Sequence, residues 1–218
     1  MKPGGHVLGV DLSAVMLARA SQLAEQAGVG HVDFRRADAQ VTPLSPGGVD
    51  LVFSRFGVVF FADPVAAFAN LRSALTPPGR MVFACWPPPR DNPWIAVPNK
   101  AAHAFYGIAP ARRGAPGPFS GSDPDHTRRL LEAAGFGAVE ITACTRTLSL
   151  AVDRDPEEWA HERLLMGLAH DSYLANSPTV QQQARRTVLD AVAPHRDRDR
   201  LQMTGSTWVV AAHPHPLS

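Results

Sequence analysis

The sequence predicts an α/β fold, a doubly wound and mainly parallel sheet with a helical cap insertion. Three observations carry it: short apolar strand-like runs, amphipathic crossovers between them, and acidic or polar residues at the strand exits. The 218 residues, 45% of them apolar, suffice for one substantial core plus a small cap.

The elements read in order. His6 to Val10 is an apolar run ending at Asp11, and Ser13 can cap a helix from Ala14 to Ala27 that Gly28 stops. Val32 to Arg36 forms a second strand, and its exit Ala37-Asp38-Ala39 enters a loop rich in Pro and Gly. A third strand, Val49 to Phe53, opens into Ser54-Arg55-Phe56-Gly57. Asp63-Pro64 then starts a helix bearing Val65, Phe68, Leu71 and Leu75, and Pro77-Pro78-Gly79 terminates it. Arg80 to Trp86 is another buried strand, and both sheet faces should be covered.

Residues 87–121 lose periodicity and read as a loop or short-helix insertion. Helix follows from about Asp125 to Ala134, then a strand from Val139 to Leu150. Glu157 to Ala169 and Thr179 to Val192 read as helices, and Ser206 to Ala212 as a last, antiparallel strand at a sheet edge. The expected division is a core over 1–150, a helical cap over 151–204, and the last edge strand with the tail over 205–218.

Composition narrows the function classes. Lys+Arg number 21 and Asp+Glu 20, a net charge of +1, which gives no footprint for a nucleic-acid partner. The alternating run Arg196-Asp197-Arg198-Asp199-Arg200 suits a solvated turn with local ion pairs. Cys85 and Cys144 lie in apolar runs without metal-ligand spacing, so no metal site and a reduced, cytoplasmic protein are expected. Nothing in the sequence is long and apolar enough to predict a membrane partner.

In an open parallel sheet, ligands bind beyond the carboxyl ends of the strands, so the three strand exits are the candidate site. Asp11 can accept from a ribose diol, with a helix cap as its structural alternative. Asp38 can accept from an exocyclic amine while Ala39 offers a backbone N–H. Phe56 can pack on a ligand or simply fill core.

Taken together, GVDLSAVML, FRRADA, GVDLVFSRFGVVFFADP and LTPPGRMVFACW resemble the class I S-adenosylmethionine-dependent methyltransferases, over roughly Pro3 to Trp94. SRFGVVFFADP with ACW and NPW resembles the bacterial small-molecule branch, near the ubiquinone/menaquinone-methyltransferase-like enzymes. The resemblance implies a Rossmann-like fold, S-adenosylmethionine as cofactor, and methyl transfer to a small, partly apolar metabolite. It assigns Asp11, Leu12 and Met16 to the ribose and adenine region, Asp38 and Ala39 to the adenine edge, and Ser54 and Arg55 to the methionine end.

The resemblance also implies a first central strand and a glycine-rich loop ahead of Lys2, which the sequence does not contain. Three outcomes follow: the flanking strands pair directly, a partner chain fills the gap, or coding sequence continues upstream, the last being the leading expectation. The chain as given is expected to bind the cofactor poorly, and its open strand edges suggest a homodimer. Phe56, Trp86, Trp94, Phe105 and Tyr106 are the candidate substrate pocket. No catalytic residue is assigned; His103, Tyr106 and His126 are the bases considered, and the sequence pairs none of them with a partner. A catalytically inactive methyltransferase-like scaffold and a nicotinamide-dependent oxidoreductase are the alternatives.

Overall fold

The computed structural model describes residues 4–44, 48–109, 116–150 and 154–215. Strand β1 (Val7–Asp11) pairs in parallel with β2 (Val32–Arg36), placing Asp11 opposite Arg36. Helix α1 (Ala14–Gln26) makes the crossover. Ser13 caps it, accepting from the Met16 N–H at 3.2 Å, and Gly28 at φ 65 turns the chain out of it. A side chain at Gly9 would meet the Phe34 ring at 2.7 Å, so only glycine lets β1 and that ring lie together.

A second parallel pair joins β3 (Val49–Arg55) to β4 (Leu75–Cys85) through α2 (Pro64–Ala74). The helix ends earlier and the strand begins earlier than the sequence predicts. Leu75 is already extended, the next residue Thr76 is disfavoured in the helical region because it precedes Pro77, and a register shift between Val49 and Leu51 absorbs the extra residues.

Two long strands complete this sheet, β5 (Phe136–Leu150) and β7 (Arg200–Pro214), antiparallel to each other. The order is β3-β4-β7-β5, with the two-residue β6 (Arg196–Asp197) paired to the start of β7. The expected edge position of the last strand is therefore corrected. β7 is antiparallel as predicted, but it starts at Arg200 and lies inside the sheet, where Val210 and Ala212 are fully buried between β4 and β5.

The insertion is more regular than its composition suggests. It contains α3 (Pro93–Tyr106), a 14-residue helix that tolerates Pro93 at its first position and Pro98 inside, and ends at Gly107 with φ 66. Next comes α4 (Pro124–Ala133). The single helix expected over 157–169 is instead α5 (Pro156–Leu165) and α6 (His170–Ala175), and α7 (Pro178–Val192) follows.

Two hydrophobic clusters result. One lies under α2 and α4 on one sheet face, built from Leu71, Met81, Phe83, Leu131, Phe136 and Val210. The other, around Trp159, Tyr173, Ala184 and Val188, joins α3, α5, α6 and α7 to Leu201 and Met203 of β7. The expectation that both sheet faces are covered is corrected for the remaining face. Leu51, Phe53 and Val209 stay 47%, 68% and 40% exposed there, and α1 buries no residue. Nor do the strands flanking the expected gap pair directly: among the described residues β1 pairs with β2 and β3 with β4.

Candidate functional site

Asp11 and Asp38 leave adjacent parallel strands at the same end, Asp38 two residues beyond the Asp11–Arg36 pair. The two exits are tied together by the Ala37 N–H donating to the Asp11 carbonyl at 3.1 Å. Each carboxylate uses one oxygen to hold its own turn. Asp11 Oδ1 accepts from the Ser13 N–H at 2.7 Å, and Asp38 Oδ1 from the Gln40 N–H at 2.9 Å. The helix-cap alternative for Asp11 is corrected, since Ser13 is the cap; Asp11 instead holds the turn before the helix, and its side chain is exposed. Leu12 and Met16, 64% and 61% exposed, form an apolar shoulder beside it.

The loop after β2 is held against the exit of β3. Gln40 Oε1 accepts from the Asp63 N–H at 2.9 Å, and Asn70 Nδ2 donates to the Ala39 and Thr42 carbonyls, both at 2.8 Å. Gln40 and Asn70 escaped the sequence reading, since a loop glutamine and a helical asparagine carry no motif. At the β3 exit, Ser54 Oγ accepts from the Gly57 N–H at 3.2 Å, while Arg55 is exposed.

Phe56 has φ 63, an uncommon conformation for a bulky residue, fixed by its N–H donating to the Ala84 carbonyl at 3.0 Å. The turn lays its ring on Trp86, centroids 4.0 Å apart and 9° from parallel. Trp86 in turn meets Trp94 edge-on at 5.5 Å. Three of the five predicted pocket aromatics thus form one row beyond adjacent strand ends. The other two do not join it: Phe105 and Tyr106 sit at the far end of α3 from Trp94, roughly 16 Å along the helix axis, and pack edge-on against each other. Burial and the neighbouring Tyr173 raise the Tyr106 phenol above its usual range, so it is held protonated.

A small cavity of about 70 Å³ lies beside the β3 exit, lined by Val58, Val59, Phe61, Phe83, Ser120 and His126. His126 is one of its walls, whereas His103 lies on α3. Cys85 is buried and its thiol is pushed up to about 12 by desolvation, which makes it a structural residue. Among the described residues no group of His, Cys, Asp and Glu could hold a metal, and no helix is long and apolar enough to cross a membrane.

Residues 1–83 match the family described as "Methyltransferase domain". The chain is 41% identical over 87 residues to the demethylmenaquinone methyltransferase of Thermus thermophilus, covering 40% of this chain and 39% of that protein. It is 29% identical over 137 residues to the nocamycin O-methyltransferase of Saccharothrix syringae, covering 62% and 46%. Each match thus spans less than half of the curated relative. A candidate methyltransferase of Bacillus halodurans superposes with a TM-score of 0.60 at 16% identity, covering 97% of this chain and 84% of that one. The strand exits and these similarities agree: residues 1–83 match a methyltransferase domain family, and the chain shares the fold of a solved candidate methyltransferase.

Proposed function

We propose that this chain takes part in S-adenosylmethionine-dependent methyl transfer to a small, partly apolar metabolite. The observation that carries this reading is the pairing of Asp11 and Asp38 at the exits of adjacent parallel strands, bridged through Ala37. The residues present fit the adenosine part of the cofactor. Asp11 has a carboxylate oxygen to accept from ribose hydroxyls, Leu12 and Met16 give an apolar wall, and the Ala39 N–H has no other acceptor among the described residues. Ser54 and Arg55 are the groups we assign to the methionine end.

The cofactor, when bound, supplies an already activated methyl carbon, so the protein's task is alignment and exclusion of water. The row Phe56–Trp86–Trp94 offers a flat acceptor an aromatic wall, and the cap beyond Trp94 closes one side. In this reading 1–150 form the core, 151–204 the cap, and 205–218 return to the core.

We expect affinity weaker than micromolar for the isolated chain, because its charged groups meet the adenosine end far better than the methionine end. Calorimetry with S-adenosylhomocysteine at high protein concentration tests the assignment. Asp11→Ala and Asp38→Ala should each weaken binding about tenfold, the range for losing a charge-assisted hydrogen bond. Unchanged binding in both variants would remove the adenosine site from these strand ends. The exposed edges of β1 and β3, with Leu51 and Phe53 bare beside them, favour self-association of two copies in solution.

A further inference from the structure

The segment that carries β1, α1 and β2 bonds almost wholly to itself. β1 pairs with β2, α1 packs on both strands without burying a residue of its own, and His6 meets Asp33 at 3.0 Å. Arg36 Nε donates to the Leu12 carbonyl at 3.1 Å, and Arg35 Nη2 to the Pro43 carbonyl at 2.9 Å. Among the described residues no hydrogen bond joins 4–36 to anything beyond Pro43.

The attachment to the rest of the molecule runs through the turn after β2. Val41 and Thr42 close that turn, their N–H groups donating to the Asp38 carbonyl at 3.2 and 2.8 Å. Helix α2 grips it from outside. Asn70 Nδ2 uses both hydrogens, on the Ala39 and Thr42 carbonyls, and the Asp63 N–H adds the bond to Gln40. Carbonyls can only accept, so chemistry fixes the Asn70 amide with its nitrogen toward the turn. Apolar contact contributes little: Val10 and Ala39 are only partly buried against the main cluster, and Leu44 anchors the far end of the loop. Regions with few buried apolar contacts open at lower free energy than the core, and a two-stranded ladder is marginal once its support is lost.

We propose that β1, α1 and β2 unfold and refold locally as one arm, apart from the main sheet, that Asn70 is its latch, and that an adenosine-bearing ligand holds it closed. This inference rests on the adenosine reading and deepens it. A ligand gripped by Asp11 and Asp38 needs the ladder between their strands, so it binds the closed arm and stabilises it by mass action. Asn70 is a positioning residue, since it acts on the turn that carries Asp38.

Amide hydrogen exchange of the full chain, read by mass spectrometry, tests this. Residues 7–36 should exchange together and at least about tenfold less protected than 80–85 and 201–213. S-adenosylhomocysteine at about ten times its dissociation constant should slow the arm about tenfold. Asn70→Ala should speed it about tenfold, the range for losing two hydrogen bonds, whereas Val210→Ala in the main sheet should speed 201–213 and leave the arm's rate alone. Equal protection of arm and main sheet, scattered rates within 7–36, or an arm that follows Val210→Ala overturns the inference while the adenosine site stands. An arm indifferent to Asn70→Ala overturns the latch. Where S-adenosylhomocysteine leaves the arm's rate unchanged, calorimetry separates the two readings: binding weakened by Asp11→Ala overturns the coupling alone, and binding indifferent to Asp11→Ala overturns the adenosine reading with it. The wild-type comparison decides whether the arm exists even where a variant fails to fold.

Discussion

Phe56 and Arg198 both hold positive φ, 63 and 56, for different reasons. At Phe56 the strain is locked by the bond to Ala84 and the stack on Trp86, and it aims an aromatic ring beyond the strand exit. The sequence hides this, because Gly57 stands next door and is where a left-handed residue would be sought; Gly57 has φ -83. At Arg198 nothing comparable is gained. It is the first of two residues between the paired Asp197 and Arg200, a turn position that suits glycine. Arg198→Gly should therefore stabilise the fold by about 1 kcal/mol, read as a higher melting temperature; an unchanged or lower one would refute the strain. The solvated character of that run was legible, and the Arg200–Asp199 pair at 3.3 Å bears it out. Asp11, Asp38, Phe56 and Trp86 could be singled out from their places at strand exits, and Trp94 from its aromatic face in the insertion after Trp86. Asn70 could not, since the turn it holds begins 31 residues earlier in the chain.

At the level of elements, caps made the helix starts readable. Ser13, Asp63 and Asp123 each accept from N–H groups of the following turn. The helix that the sequence missed, α3, has two prolines, and the one over-extended, α5, breaks near Gly167 because the next turn packs Tyr173 into the cap. Strand β7 was misplaced for a related reason: apolar alternation identifies a strand but not which neighbours it finds. The α4 cap makes a pH prediction. Hydrogen bonds from the backbone N–H of His126 and then Asp125 hold the Asp123 carboxyl below its usual 3.8. Its contribution is present above that value and is lost as pH falls through the lowered folded-state value. Asp123→Ala should melt below the wild type at pH 7, and the gap should narrow once the pH drops below 3.8. A gap of constant size across that range would mean the carboxylate's charge is irrelevant to the cap.

Over the whole molecule, the parallel pairs β1–β2 and β3–β4 form separate ladders, and the face bearing Leu51, Phe53 and Val209 is bare. Such an apolar, half-covered sheet is prone to association. Light scattering during size exclusion should find concentration-dependent self-association that Phe53→Ser reduces; a strictly monomeric chain at every concentration would count against the homodimer. The architecture itself was legible, since alternating short strands and helices admit few arrangements. The incomplete cover was legible from nothing in the periodicity, which marks apolar faces without saying what packs on them. Whether the exits of β1 and β2 together hold one adenosine can be read by methyl NMR of labelled methionines. On titration with S-adenosylhomocysteine, Met16 should shift while Met81, Met166 and Met203 hold still, and Asp11→Ala should abolish the response. A shift centred on another methionine, or a Met16 response indifferent to Asp11, would contradict it.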